Sequence, residues 1–352
     1  MKKQINIIIA DDSRVSTALL CALFQTTPDI HVIACARDGL EAVTLTKRLK
    51  PDLVTMDIFM PQIDGVQATR EIMEQCPTPI IMISAHANET ESPHVFNALQ
   101  AGALSVIEKP QGVLDIGFDE VKRHIIHAVR TLAQVQVVPR QIQQRLKPAA
   151  KIFMHNQRGA KIIALGSSTG GPEALRCILS SLPGNFPIPI VITQHITKGF
   201  LPGLVTWLQT VTPLTLAIAT QHQPLMPGCV YFAAEDAHLV IKKGLTPLAT
   251  LDYTAPIDHF RPSISAMFSS LAMSYPGLSI GGLLTGMGQD GASGLLQMKK
   301  TGCLTFAQSK VTSVIYGMPA AAVALQATDE SVDLEEIPQF LAILLSRRRN
   351  LS

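Results

Sequence analysis

Lys161–Pro172 reads KIIALGSSTGGP. The apolar run Ile162–Leu165 leads straight into Gly166-Ser167-Ser168-Thr169-Gly170, and a proline follows at 172. A short apolar run bounded by glycine reads as a buried strand, and proline fits the first turn of a helix. The stretch therefore predicts a strand, a sharp turn and a helix. A G-x-S-x-G turn pushes its central serine, here Ser168, off the sheet edge toward backbone N–H groups and a helix N-terminus. Nucleophilic attack on a carbonyl needs that arrangement. Ser167 is the rival nucleophile, but only Ser168 holds the central place. A phosphate cradle is the competing reading of the glycines, and the G-x-G-x-x-G spacing it needs is not matched.

Working outward, Val191-Ile192-Thr193-Gln194-His195 puts a histidine at the end of the next apolar strand. Adjacent parallel strands would bring His195 beside Ser168. Leu284–Gly291 (LTGMGQDG) is a glycine-rich turn after a further strand, and it ends in an aspartate. Asp290 is placed to accept the His195 Nδ1–H, fix its tautomer and stabilise the imidazolium. The order Ser, His, Asp differs from the Ser, Asp, His of α/β-hydrolases, so that fold is not implied. Each residue alone has an ordinary role: His195 as a structural histidine, Asp290 as the N-cap of a helix over 291–300. Strands are expected at 161–166, 189–194, 228–233, 238–242, 279–284 and 303–307. Helices are expected at 172–181, 200–209, 291–300, 317–326 and 334–347.

The first half alternates differently. Apolar runs at 5–10, 31–36, 53–56, 80–83 and 104–107 read as buried parallel strands, with helical segments near 14–26, 39–49, 65–75, 92–101 and after 119. Such βα repetition predicts a doubly wound sheet. Asp11 and Asp12 fall after the first strand, Asp57 after the third, Ser84 after the fourth and Lys109 after the fifth. Ligands of such sheets sit at the carboxyl ends of the strands. Hard carboxylate oxygens suit Mg²⁺, a lysine balances added negative charge, and a carboxylate can itself attack phosphorus. The expected class is α/β, with two domains that are each a doubly wound, mostly parallel sheet. The boundaries are 1–133, a linker rich in Gln, Arg and Lys over 134–159, and 160–352.

The 352 residues allow two cores, and 47% hydrophobic with 16% charged residues is an ordinary globular composition. A net charge of +2 gives no reason to expect nucleic-acid binding, and no basic helix-turn-helix is present. The six cysteines form no C-x-x-C pair and read as small buried hydrophobes of a reducing compartment. The start, MKKQINIIIADD, lacks the apolar length of a signal peptide, and no run reaches membrane-span length. A cytoplasmic protein without membrane insertion is expected. His124 and His127, one helical turn apart, read as a solvated helix face.

Through IIIADDSR, VTMDIFMPQIDG, IIMISA and VIEKP, residues 4–130 resemble the receiver domain of two-component response regulators, a flavodoxin-like fold. The resemblance implies that Asp57 accepts phosphate from a chemotaxis histidine kinase. It implies Mg²⁺ held by Asp12, Asp57 and the Phe59 carbonyl, with Asp11 acting through water, and Ser84 and Lys109 sensing the phosphoryl group. Receivers often carry an aromatic three residues before that lysine. Here the position is Val106, which leaves helix repacking as the route of the signal. Through GSSTGGPEAL, TQHI, EDAHL, HFRPS and LTGMGQDGA, residues 160–347 resemble the Rossmann-like catalytic domain of the chemotaxis protein-glutamate methylesterases, the CheB family. That resemblance implies the triad Ser168, His195 and Asp290, support of the imidazole by Thr169, and a Met287 backbone contribution to the oxyanion hole. Ser167 stands where the family usually has alanine. The implied activity is hydrolysis of glutamyl methyl esters on methylated chemoreceptors, with deamidation of receptor glutamines and no cofactor for the esterase. The expected control is occlusion of the esterase by the unphosphorylated receiver. The competing reading is a phospho-accepting adaptor with an inactive esterase-like module.

Overall fold

In the computed structural model, residues 4–84, 92–110, 118–135, 137 and 159–346 are described. Most of the expected linker, 134–159, lies outside them. The chain divides into two compact units, Met1–Leu146 and Lys147–Ser352.

The first unit alternates β1 (Ile5–Ala10), α1 (Arg14–Gln25), β2 (Ile30–Ala36), α2 (Gly39–Leu49) and β3 (Leu53–Met56). It continues with α3 (Gly65–Gln75), β4 (Ile80–Ser84), α4 (Ser92–Ala101), β5 (Ser105–Glu108) and α5 (Phe118–Leu132). The all-parallel sheet runs β2-β1-β3-β4-β5, the doubly wound order with its switch point between β1 and β3. β3 and β4 are buried along their whole length, which is why they read as unbroken apolar runs. Helix starts follow local chemistry: the side chains of Ser13, Asp38 and Asp64 cap α1, α2 and α3 by accepting backbone N–H groups. In α1 the buried residues Leu20, Leu23 and Phe24 share the face turned to the sheet.

The second unit opens with β6 (Ile162–Ser167), α6 (Gly171–Ser180), β7 (Ile190–Gln194), α7 (Leu201–Gln209), β8 (Thr215–Ile218), β9 (Gln223–Pro224) and β10 (Cys229–Phe232). It continues with β11 (His238–Lys242), β12 (Leu248–Asp252), α8 (Ile264–Ser274), β13 (Ser279–Leu283) and α9 (Ala292–Lys300). It closes with β14 (Leu304–Gln308), α10 (Met318–Ala324), β15 (Glu330–Val332) and α11 (Ile337–Ser346). Its main sheet is ordered β15-β14-β13-β6-β7-β10-β8 and every pairing in it is parallel. β6 lies between β13 and β7, so the turns that carry Ser168, His195 and Asp290 all open at one carboxyl edge.

The sequence did not predict β8, β9, β12, β15 or α8. β9 and β15 are too short to show a period, and β8 is half exposed. α8, ISAMFSSLAMS, buries serines beside its apolar residues, so its polar pattern gives no clean stripe. β11, β12 and β9 form a small antiparallel sheet beside the main one, so the strand expected at 238–242 exists but belongs to a second sheet. The core of this unit links the two sheets through α8, with Met267, Phe268 and Leu271 packed beside Leu239, Ile241 and Leu283.

Candidate active site

Gly170 has φ +77°, and a Cβ there would strike Val314 at 2.7 Å, so the turn after β6 requires glycine. It reverses the chain directly into α6, whose first turn holds Pro172. Ser167 points inward: it is fully buried and donates its hydroxyl to Gln194 Oε1 at 2.6 Å. Ser168 is only partly buried, and its hydroxyl makes no hydrogen bond among the described residues. Of the two serines, Ser168 therefore has the available oxygen.

The His195 N–H donates to Ser167 O at 2.9 Å, which continues the β6–β7 ladder past its end and sets the histidine beside the serine turn. Its Nε2 lies 3.0 Å from Asp290 Oδ2. The sequence had assigned Nδ1 to that contact. The geometry reverses it, because His195 approaches the aspartate with the far side of its ring. Nε2 is close to the carboxylate without the alignment of a full hydrogen bond, and Nδ1 is buried without a partner. Nδ1 is the ring nitrogen turned away from the carboxylate.

Asp290 does not cap the helix that follows it. Gly291, φ +89°, is the N-cap of α9, and Asp290 instead accepts the first N–H groups of α8, whose own N-cap is Ser263. Its Oδ2 accepts Ile264 N–H at 2.7 Å. Its Oδ1 accepts Ser265 N–H and the Ser263 hydroxyl, both at 3.0 Å, and Gly291 N–H at 2.8 Å. A helix N-terminus favours negative charge. Burial works against ionisation, but the His195 contact and the amides of Ile264 and Ser265 outweigh it and hold the carboxyl down at about 2.

Gly286 lets β13's turn close on the serine, since a Cβ there would meet Ser168 Cβ at 2.7 Å. Ser168 N–H is already committed to Thr285 O at 3.0 Å. The neighbouring Met287 N–H has no partner among the described residues and is a free donor next to the serine. The Thr169 hydroxyl makes no hydrogen bond among them. Its carbonyl accepts from Thr285 Oγ1 at 3.0 Å, so Thr169 braces the turn through its backbone.

Sequence reasoning missed three supports. Gln194 donates to Ser168 O at 2.9 Å and His195 O at 2.7 Å while it accepts from Ser167, so a single buried amide ties both turns together. Its place next to His195 in TQHI was the available signal. Ser263 holds Asp290 and is itself fixed by His238, whose Nδ1 accepts Ser263 N–H at 3.1 Å. Accepting there makes His238 the Nε2–H tautomer, which donates to Ala255 O at 3.2 Å. Phe260 stacks on His195, with ring centroids 4.3 Å apart. These residues belong to EDAHL and HFRPS, motifs whose chemistry cannot be read before the chain is folded.

The first unit holds a second site at the carboxyl edge of its sheet. Ligand atoms of Asp11, Asp12 and Asp57 lie within 4.8 Å of one another. Lys109 bridges Asp11 Oδ2 at 2.8 Å and Asp57 Oδ2 at 2.7 Å. Asp57 Oδ1 accepts Ile58 N–H at 2.7 Å, and Asp11 Oδ1 accepts Ser13 N–H at 2.9 Å. Burial pushes the Asp57 carboxyl up to about 6; Lys109 opposes the rise and Asp11 adds to it. Burial lowers the Lys109 ammonium, but its hydrogen bonds to Asp11 and Asp57 outweigh that and the net direction is up. Ser84 ends β4, buried, and its carbonyl accepts Lys109 N–H at 2.7 Å. Phe59 lies on the exposed rim, edge-on to His94 at 5.3 Å. The cluster suits a hard divalent cation, since three carboxylates offer oxygen ligands within 4.8 Å of one another.

Fold and geometry together define a class: a receiver-type acidic site joined in one chain to a serine-hydrolase-type site. Residues 163–341 match the family model described as CheB methylesterase, and residues 7–116 match the response regulator receiver domain. The chain is 40% identical over 349 residues to a protein-glutamate methylesterase/protein-glutamine glutaminase of Nitrosospira multiformis, covering 98% of each. It is also 40% identical over 338 residues to one of the Myxococcus xanthus proteins of that name, covering 95% of each. The catalytic domain of the Thermotoga maritima CheB methylesterase aligns with a TM-score of 0.51 at 36% identity, over 53% of this chain and 98% of that one. The chain belongs to the protein-glutamate methylesterase/protein-glutamine glutaminase family.

Proposed function

We propose that this protein is a phosphorylation-controlled serine esterase that removes methyl groups from glutamyl side chains of chemoreceptors and deamidates receptor glutamines. The observation that carries the reading is the 3.0 Å approach of His195 Nε2 to a carboxylate held by three backbone amides and a hydroxyl, on a turn hydrogen-bonded to the one that carries Ser168. The adaptor reading is disfavoured by this arrangement, because an inactive module has no use for a buried carboxylate poised beside an imidazole.

Ser168 Oγ attacks the ester carbonyl and His195 Nδ1 takes its proton. Asp290 stabilises the imidazolium, and the Met287 N–H faces the developing oxyanion. The imidazolium returns the proton to the leaving oxygen and methanol departs. Water, deprotonated by His195, then attacks the acyl-enzyme and releases the glutamyl carboxylate. A glutamine side chain follows the same course with ammonia as leaving group. Thr169 acts by bracing the turn.

In the first unit Asp57 is the phosphate acceptor from a chemotaxis histidine kinase. Asp11, Asp12, Asp57 and the Phe59 carbonyl would hold Mg²⁺, which supplies charge neutralisation at the phosphoryl oxygens. Ser84 and Lys109 contact the added phosphoryl group, and Val106 sits where an aromatic would couple to them. The domain scheme is a receiver over 1–133, a linker over 134–159 and an esterase over 160–352. No helix among the described residues is long and apolar enough to cross a membrane. A cytoplasmic protein acting on the cytoplasmic part of its receptors fits that. The test is methanol release from a methylated receptor fragment, with and without a small-molecule phosphodonor. Activity in Ser168→Ala, or no response to the phosphodonor in wild type, would overturn the corresponding half of the reading.

A further inference from the structure

After β12 the chain makes a tight turn that the reaction scheme above does not use. Phe260 N–H donates to Ile257 O at 2.8 Å, and Ile257 N–H donates to Phe260 O at 3.1 Å. Between them Asp258 and His259 both take positive φ, 48° and 71°. Two left-handed residues in a row make the type I′ geometry usually given to Asn-Gly, so two ordinary side chains are held there against a steric cost. Such outliers persist where the surroundings over-determine them, and they gather at functional sites. What this turn delivers is Phe260, lying almost parallel to His195, 6° between planes and 4.3 Å between centroids.

The stack meets a need. Both His195 ring nitrogens are buried and neither completes a hydrogen bond, so hydrogen bonding alone does not fix the imidazole plane. An aromatic face carries negative charge density and attracts a cation above it. A ring parallel to the imidazole therefore gains more from the imidazolium than from the neutral base.

We propose that Phe260 is a positioning residue for the hydrolytic reaction: its ring fixes the plane of His195 and favours the imidazolium formed when Ser168 gives up its proton. The proposal rests on the Ser168–His195–Asp290 reading. Titratable groups on the elements around His195 are Asp290, in contact through Nε2, and Asp258, His259 and Arg261 on the turn segment. On the far side Lys198 pairs with Asp236 at 2.6 Å and Glu235 caps the start of α7. Phe260→Leu leaves every one of them in place and fills similar space without a π face. Asp258 and His259 are exposed and Phe260 is only partly buried, so the core is untouched.

The experiment measures kcat and KM against pH on the full-length protein, with a glutamyl methyl ester as substrate. Phe260→Leu should lower kcat about three- to tenfold with little change in KM, and move the acidic limb of kcat/KM about half a unit to lower pH. Phe260→Tyr and Phe260→Trp keep the face and should restore both. A wild-type limb and kcat in Phe260→Leu would overturn the proposal, and so would Tyr and Trp variants that lose as much as Leu. His195→Ala, run alongside, separates the two levels: activity surviving there sinks the triad itself, whereas an inactive His195→Ala beside an unaltered Phe260→Leu sinks the stacking role alone.

Discussion

Two buried aspartates stand at the carboxyl edges of two parallel sheets, and their surroundings drive them in opposite directions. Asp57 is pushed up to about 6 and Asp290 is held down at about 2. Both are buried and both have a basic partner, so neither fact explains the difference. The count of donors does. Asp290 collects three backbone amides, a hydroxyl and an imidazole, and among the described residues no second carboxylate pairs with it. Asp57 receives one amide and shares its lysine with Asp11. One carboxylate is fully satisfied by its neighbours, which is what the proposed reaction asks of a group that stays anionic through the cycle. The other is left short of positive charge, as a group awaiting a cation and a phosphoryl group should be.

The sharpest way to separate the two sites is Ser168→Ala. Methanol release should fall by on the order of 10⁴-fold or more, while labelling of Asp57 by a phosphodonor stays at the wild-type level. Loss of both activities together would mean that the sites are not independent. Asp290→Asn tests the satisfied carboxylate itself. An amide NH₂ would replace one of the two oxygens and face either the Ile264 N–H at Oδ2 or the Ser265 and Gly291 N–H groups at Oδ1, so kcat should drop on the order of 10³-fold and the melting temperature should fall as well. A variant with wild-type kcat would remove Asp290 from the reaction.

Gln194→Met keeps size and removes the amide that ties the Ser168 and His195 turns. A shift of about 1 Å at reacting groups costs on the order of 10²-fold, so kcat should fall by about ten- to a hundredfold with KM little changed. The smallest effect concerns stability. Asp57 sits above its ordinary 3.8, so the folded protein binds that proton more tightly than the unfolded chain. Its burial therefore costs stability that grows as pH rises from about 4 through 6, and the cost remains at neutral pH. Asp57→Asn should raise unfolding free energy by about 2 kcal/mol at neutral pH without divalent cations, and by nothing near pH 4, measured by urea titration. Asp290 has the reverse sign: its stabilising contribution is present above 3.8 and is lost as pH falls toward 2.

Much of this was legible in the residues. Buried parallel strands leave unbroken apolar runs, so the first sheet could be read nearly strand for strand. Turn residues mark strand ends, which is how Ser168, His195, Asp57 and Lys109 could be placed at sheet edges. Of the antiparallel sheet of β9, β11 and β12 only β11 was legible as a strand; β9 and β12 are short and part exposed and carry little period, and the pairing direction was out of reach. α8 was missed because its buried serines break the apolar stripe. That mattered for the site: without α8 its N-terminus could not be seen as the cradle of Asp290, and the capping role weighed for Asp290 was that of the helix over 291–300. Which nitrogen of His195 meets the aspartate was equally out of reach, since spacing along the chain says nothing about ring orientation.

The amino-acid sequence alone determined the two α/β sheets, the edges at which their polar residues gather, and the residues capable of the chemistry. Those follow from local rules: apolar period, glycine and proline at turns, and carboxylate, imidazole and hydroxyl at strand ends. The tertiary structure decided how each group is tuned. The amides of Ile264 and Ser265 reach Asp290 from more than twenty residues away, Gln194 joins two separate turns, and Phe260 arrives on a strained hairpin. Charge and orientation depend on the sum of such neighbours in space, and no window of sequence contains that sum.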